Sequence, residues 1–151
     1  MKLRITFVAL FVTVFASGAS AQLLAAKDGR IVYGHHHIAA SDIPAHLKFF
    51  VDTLGGTRIK FGPQQADVVK FPNLFIFFRN QKPTGGSKGT TVNHIGFEVK
   101  DLEAFCKKLE AMGITLNVTY RKSEAFGLGI AFVTDPWGTS IELNEGLDKL
   151  N

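Results

Sequence analysis

An internal repeat is the feature of this sequence that most restricts its fold. His35 is followed after six residues by Asp42, and His94 is followed after six residues by Asp101, so that the second copy lies 59 residues after the first. A branched aliphatic residue and then a helical pattern follow each aspartate, and each helical pattern ends at glycine. Repeats of this length correspond to one supersecondary unit that needs its neighbour to bury a core. The chain is therefore expected to contain two halves of one pseudo-symmetric unit.

Each copy has the order of one strand, one helix and three strands. Apolar residues at positions i, i+3, i+4 and i+7 predict the first helix, which Ser41 or Asp42 caps. Turn residues separate the short strands. The first copy has strands at 31–39, 57–61, 67–71 and 74–79, and the second has a strand at 92–99, a helix at 101–112 and strands at 114–121, 128–134 and 139–144. The predicted class is α+β, with two paired βαβββ modules that form a curved mixed β-sheet around a cavity.

The first 21 residues have the pattern of a cleavable secretory signal. Lys2 and Arg4 precede an uncharged apolar run over 5–15, and small residues then lead to Ala21. About eleven strongly apolar residues are too few to cross a bilayer as a helix, which needs about 20. We expect cleavage after Ala21 and a periplasmic or secreted protein. The remaining boundaries are an N-terminal extension at 22–30, a first module at 31–80, a linker at 81–91, a second module at 92–145 and a tail at 146–151.

Charge and cysteine content exclude several classes of function. The chain has 17 Lys and Arg against 13 Asp and Glu, and loss of Lys2 and Arg4 with the signal leaves 15 against 13, a net charge of +2. The basic residues are spread along the sequence, which argues against a nucleic-acid partner and against membrane binding after cleavage. Cys106 is the single cysteine, so no internal disulfide can form, and a small buried hydrophobe is its expected role. His46 is expected at the edge of the packed face of its helix.

Three side chains of the repeat can converge on one metal site. His35 and His37 share a face of the first strand, since strand neighbours alternate faces, and Glu142 stands between two apolar residues of the last strand. If the strands of both copies curve around one cavity, His35, His94 and Glu142 form a set of two histidines and one carboxylate. Such a set leaves open coordination positions and suits Fe(II), Mn(II) or Zn(II). A small-molecule substrate would bind at those open positions.

Further side chains are candidates for the same cavity. His37 could act as general acid or base beside the metal, or as a structural histidine, and its position alone leaves both interpretations open. Phe75 and Phe77 share a face that could line an apolar substrate pocket, with Arg79 at its end for an anionic group. Tyr120 is a weaker candidate for the cavity.

These motifs resemble the vicinal oxygen chelate superfamily, which includes glyoxalase I, extradiol dioxygenases, methylmalonyl-CoA epimerase, fosfomycin-resistance transferases and bleomycin-sequestering proteins. The resemblance covers the chain from about residue 31 to residue 145. Its most specific part is the run of residues 135–143, Asp-Pro-Trp-Gly-Thr-Ser-Ile-Glu-Leu. In the superfamily, metal ligands come from the first and last strands of each copy, which implies His35, His94 and Glu142 here. The family often pairs chains, which implies a homodimer, although no residue decides it.

This chain departs from the family pattern at the position of the fourth metal ligand. Phe77 falls about where glyoxalase I has a glutamate or glutamine. This favours the three-ligand members, the extradiol dioxygenases and fosfomycin-type transferases, over glyoxalase I and the epimerases. The resemblance thus implies an exported, divalent-metal dioxygenase, lyase or transferase that acts on a small oxygenated substrate. The alternative is a non-catalytic protein that sequesters an aromatic or antibiotic ligand in the same cavity.

Overall fold

Two four-stranded sheets form the framework of residues 31–149, the part of the chain that this computed structural model describes. The predicted signal peptide 1–21 and the extension 22–30 lie outside the described residues, as do the last two residues of the tail. The first sheet has the strand order β1-β4-β3-β2, formed by His35–Ala40 (β1), Thr57–Phe61 (β2), Ala66–Phe71 (β3) and Leu74–Asn80 (β4). The second has the order β5-β8-β7-β6, formed by Ile95–Glu98 (β5), Val118–Ser123 (β6), Leu128–Thr134 (β7) and Ser140–Glu145 (β8).

The two sheets have the same topology. In each, the first strand runs parallel to the fourth, and the other neighbours are antiparallel. Helices follow the first strand of each module at Ile43–Lys48 (α1) and Leu102–Ala111 (α2), and a short 3-10 turn, Leu147–Lys149, ends the described chain. The α+β class and the paired βαβββ modules are therefore confirmed.

The two aspartates of the repeat begin the two helices. Asp42 Oδ1 accepts a hydrogen bond from the backbone N–H of Ala45, and Asp101 Oδ1 accepts one from Ala104, so each satisfies an N–H that has no partner within its helix. The predicted continuous first helix instead changes after Lys48 to a π-helical turn, Phe49–Thr53. Wider turns of this kind accommodate one more residue than an α-helix does.

One hydrophobic core joins the two modules. Phe50 and Ile76 from the first module and Leu102, Leu109 and Ile141 from the second are fully buried members of the same cluster. Alternate residues of the strands face this core, because strand neighbours point to opposite faces. We call the other side of each sheet its open face. The open faces carry His35, His37 and Phe77 in the first sheet and Phe132 and Glu142 in the second.

A buried histidine and aspartate connect the modules, at a contact that we call the intermodule joint. His46 of α1 lies with its Nε2 atom 3.3 Å from Oδ2 of Asp135, at the start of the turn between β7 and β8, and both side chains are completely buried. The two atoms face each other at contact distance without a well-aligned hydrogen bond. His46 also stacks on Trp137, with ring centroids 6.0 Å apart. The structure thus buries His46 fully, where the helical pattern placed it at the edge of the packed face.

Asp135 also shapes its own turn. Its Oδ1 atom accepts hydrogen bonds from the backbone N–H groups of Trp137 (2.9 Å) and Thr139 (2.8 Å). Burial acts to raise the pKa of Asp135, but the contacts with His46, Thr139 and Trp137 outweigh it, so the pKa lies below its usual value. This carboxylate is therefore ionised at neutral pH and is held by both modules.

The connector between the sheets packs closely against the same turn. Ser87 donates its backbone N–H to the carbonyl of Gly138, and the Ser87 hydroxyl oxygen accepts from the N–H of Ser140. A Cβ atom at Gly86 would lie 2.7 Å from the Gly138 carbonyl oxygen, so only glycine fits there. Within residues 31–149, no helix is long and apolar enough to span a membrane.

Candidate metal and substrate site

The strand register places Phe77 and Glu142 at equivalent positions of the two modules. His37 of β1 lies beside Phe77 of β4, and Gly96 of β5 lies beside Glu142 of β8. In each module, the repeat histidine comes two residues before this pair. The fold therefore provides two equivalent positions for a histidine and a carboxylate, and this chain has the carboxylate only in the second module.

The second sheet brings His94 and Glu142 into direct contact. Nε2 of His94 lies 2.7 Å from Oε2 of Glu142, with 38% and 18% of the two side chains exposed. Nδ1 of His94 lies 3.2 Å from Oδ1 of Asn93, and the other oxygen of Glu142 accepts a hydrogen bond from Nδ2 of Asn144 at 3.0 Å. Phe132 packs edge-on against the imidazole. The pair is thus oriented by two amide side chains, which is how metal ligands are commonly positioned.

The first sheet gathers the other candidate residues on its open face. The ring of Phe77 lies 5.4 Å from that of His35 and 5.1 Å from that of His37, on which it stacks. Phe61 meets Phe77 edge-on at 5.1 Å and has 55% of its surface exposed. Phe75 lies 6.3 Å from Phe77 on the same strand face. The arrangement is an exposed aromatic surface with two imidazoles.

Charge and burial both act on His37. Partial burial, the neighbouring His35 and the guanidinium of Arg79 all lower the pKa of His37, since each disfavours the protonated imidazole. Arg79 lies beyond Phe77 on β4 and shares its face by strand alternation. The predicted group of His37, Phe75, Phe77 and Arg79 is therefore found on one surface.

One predicted residue lies on a different surface. Tyr120 packs against the hydrophobic core, and its ring lies beside Gly129 and Glu145. The carboxylate of Glu145 accepts a hydrogen bond from the first N–H of α2, so this side of the sheet is the one that the helix covers. Tyr120 therefore faces away from Glu142.

The predicted metal ligands do not all meet within one chain. No group of three His, Cys, Asp or Glu side chains among residues 31–149 lies close enough to hold a metal ion. His94 and Glu142 are two of the three predicted ligands, and His35 lies on the other sheet. Two ligands of one metal, at bonds of about 2.1 Å and a right angle, are about 3 Å apart. The 2.7 Å separation of the His94 and Glu142 atoms fits two adjacent ligands of a divalent ion, and a third would have to come from outside this pair.

Sequence reasoning did not assign a role to Phe132, Asn93 or Phe61. Phe132 lies beside Glu142 only through the pairing of β7 with β8, and Phe61 of β2 meets Phe77 of β4 across the intervening strand β3. Such contacts depend on register between strands, which periodicity within a strand does not encode. Asn93 directly precedes His94, so that its position beside the candidate ligand was visible in the sequence.

Comparison with known proteins identifies the class that this fold and site define. A family model described as Glyoxalase/Bleomycin resistance protein/Dioxygenase superfamily matches residues 32–143. The chain therefore belongs to this superfamily, as the motifs had indicated.

Solved structures share the same fold. A lactoylglutathione lyase from Agrobacterium tumefaciens is 20% identical, with a TM-score of 0.56 over 80% of this chain and 96% of that one. A glyoxalase family protein from Bacillus anthracis is 20% identical, with a TM-score of 0.62 over 78% and 95%. A superfamily member from Alicyclobacillus acidocaldarius is 17% identical, with a TM-score of 0.59 over 82% and 97%. A search of the curated proteins found no match.

Proposed function

We propose that this protein is an exported, divalent-metal-dependent enzyme that acts on a small oxygenated substrate. Its metal ligands are His35, His94 and Glu142, and the reaction is that of a dioxygenase, lyase or transferase of the superfamily. The observation that carries the proposal is the contact between His94 and Glu142 on the open face of the second sheet. An imidazole and a carboxylate at this distance, each held by an amide side chain, are oriented as a pair of metal ligands.

A second copy of the chain would complete the ligand set. His35 lies on the open face of the first sheet, and it does not join the His94–Glu142 pair within residues 31–149 of one chain. That face also carries the exposed ring of Phe61 and the half-buried ring of Phe77, apolar surface that a partner can cover. We therefore propose a homodimer in which the first sheet of each copy faces the second sheet of the other.

The chain's own residues supply the remaining chemistry. A bound Fe(II), Mn(II) or Zn(II) would polarise the substrate oxygens as a Lewis acid. Phe75 and Phe77 would hold the apolar part of the substrate and exclude water, while Arg79 would bind an anionic group at the end of the strand. His37, beside His35 on the same face, is the group that we assign to proton transfer. The position of Phe77, equivalent to Glu142, favours the three-ligand reactions over that of glyoxalase I.

Metal content of single variants tests the ligand assignment. The chain from residue 22 onward is stripped with a chelator, reloaded with Fe(II), Mn(II) or Zn(II), and analysed for bound metal by mass spectrometry. His35→Ala, His94→Ala and Glu142→Ala are each expected to lose at least tenfold in metal affinity. The matched control is His36→Ala, whose side chain points to the other face of β1 and contacts Tyr33. Equal metal content in all four variants would contradict the assignment.

Mixing two inactive variants tests the shared site. In a mixed dimer of His35→Ala and His94→Ala chains, one site loses both histidines and the other retains all three ligands. A site between copies therefore regains about one metal per mixed dimer, whereas a site within each chain regains none. Light scattering of the wild-type protein measures its oligomeric state in the same samples. A monomer that binds metal through these residues would contradict the dimer.

Export and the rival function have their own tests. The N-terminal sequence of the exported protein is expected to begin at Gln22, and a mature protein that begins at Met1 would contradict the signal assignment.

The aromatic open face of the first sheet also supports the alternative of a protein that sequesters an aromatic or antibiotic ligand. Ligand binding without bound metal that is lost in Phe61→Ala but unchanged in His94→Ala and Glu142→Ala would favour that alternative.

A further inference from the structure

A cavity of about 370 Å³ lies beside β5, between the second module and the turn that joins β3 to β4. Its walls are mainly apolar and come from both modules: Leu54, Phe71, Leu74, Phe97, Val99 and Phe105. Its volume lies within the range of about 300–1,000 Å³ that small-molecule pockets occupy. None of the three proposed metal ligands lines it.

The equivalent place in the other half of the repeat is occupied by polar side chains, so the fold does not require apolar walls at this cavity. By register, Phe71 takes the position of Asp135, and Phe105 follows its helix cap at the same spacing as His46. At the intermodule joint, the corresponding helix and turn are joined by the contact between His46 and Asp135 and by the stacked ring of Trp137. The turn between β3 and β4 is one residue shorter and has no tryptophan, so no indole fills the equivalent space.

The polar groups around the cavity restrict the charge of a ligand. The carboxylate of Glu98 already accepts hydrogen bonds from the backbone N–H groups of Gly146 (2.6 Å) and Leu147 (3.3 Å). Its negative charge disfavours a carboxylate or phosphate nearby, and the apolar walls disfavour an isolated cation. Gly96 and Glu98 belong to β5, which pairs only with β8 in the described sheets, and an edge strand offers backbone groups to a hydrogen-bonding partner.

We propose that this cavity is a second binding site, for a small neutral ligand with an aromatic or similarly apolar body and one hydrogen-bonding group. The aromatic rings of Phe71, Phe97 and Phe105 provide the apolar contacts, with Phe71 and Phe97 only 4.9 Å apart. The edge of β5 that carries no strand within residues 31–149 provides the polar contact. The site is separate from the proposed metal site and does not depend on a metal.

Fluorescence of the neutral dye N-phenylnaphthylamine tests the proposal in the chain from residue 22 onward. The wild-type protein is expected to bind the dye saturably, with one site per chain. Val99→Trp places an indole in the cavity and is expected to weaken binding at least tenfold, and Leu54→Phe, a smaller change, is expected to weaken it several-fold. Circular dichroism of each variant identifies the folded ones, and loss of binding in a folded variant supports the proposal.

Two control variants distinguish this cavity from the other surfaces. Phe61→Ala removes the most exposed phenylalanine ring of the first open face, and His94→Ala removes a proposed metal ligand. Both are expected to bind the dye within twofold of wild type. The proposal is overturned if the dye does not bind the wild-type protein, if folded Val99→Trp and Leu54→Phe bind it normally, or if Phe61→Ala loses binding instead.

Discussion

Replacing Asp135 with alanine should destabilise the protein more than the loss of an exposed carboxylate does. The substitution removes two hydrogen bonds within the turn, to the N–H groups of Trp137 and Thr139, each worth about 1 kcal/mol. It also removes the carboxylate that faces Nε2 of the completely buried imidazole of His46. A buried polar group left without a partner costs about 1–3 kcal/mol, so together with the two hydrogen bonds we expect the free energy of unfolding to fall by about 3–5 kcal/mol.

Urea denaturation followed by circular dichroism measures this loss. The matched control is Asp52→Ala, an exposed aspartate in the π-helical turn, which should change the free energy of unfolding by at most about 0.5 kcal/mol. His46→Phe in the same background completes a double-mutant cycle, and a coupling of about 1–3 kcal/mol is expected between the two positions. A loss below about 1 kcal/mol for Asp135→Ala, or strictly additive losses in the cycle, would refute the importance of the pair.

The pH dependence of the same comparison follows from the pKa of Asp135. Because the folded protein holds this pKa below its unfolded value, the stabilisation is complete above about pH 4 and is lost as the pH falls through the folded pKa. The difference in urea midpoint between wild type and Asp135→Ala should therefore shrink as the pH is lowered below about 4. A difference that grows on acidification would contradict the ionised state of this carboxylate.

Three further predictions concern other parts of the fold. Gly56→Ala should cost about 1–3 kcal/mol in urea denaturation, because its Cβ would lie 2.3 Å from a methyl carbon of Val69; an unchanged midpoint would contradict this packing. Hydrogen bonds from Arg58 lower the pKa of Asp67 to about 2, so the urea midpoint of Asp67→Asn should differ from wild type above pH 4 and converge with it towards pH 2. Salt at 1 M should reduce that difference, since the pair is near the surface. Glu98→Ala should speed amide hydrogen exchange after β8, where two N–H groups lose their acceptor, and unchanged exchange would count against that role.

Local patterns in the sequence were sufficient for the order of the elements and for the helix starts. The repeat predicted two βαβββ modules, and the aspartates at its fixed spacing cap both helices. The ends of strands were predicted less exactly where tertiary contacts determine them. Ile31 is fully exposed and precedes β1 by four residues, while Ile114 packs against the core without belonging to a strand.

The candidate site was predictable only where its residues share a strand or a module. His94 directly precedes β5, and Glu142 lies on the parallel strand β8 that pairs with it. The repeat pointed to His94, and the alternation of polar and apolar residues in the last strand pointed to Glu142. The relation of His35 to this pair depends on how two sheets face each other, which the alternation of side chains along a strand does not encode. The same reason explains why the position of Tyr120 was not predicted. Because β6 has an irregular register between Val118 and Arg121, the face on which Tyr120 lies could not be inferred by counting residues along the strand.

The stacked ring at the intermodule joint gives the molecule an optical reporter. Trp137 is the only tryptophan of the chain, and its indole lies against His46 of the other module with about a third of its surface exposed. Fluorescence excited at wavelengths longer than those that tyrosine absorbs therefore comes from this one indole, where the two halves of the repeat meet. A change in the wavelength or intensity of this emission reports separation of the modules. Events confined to the remote edges of the sheets leave the emission unchanged.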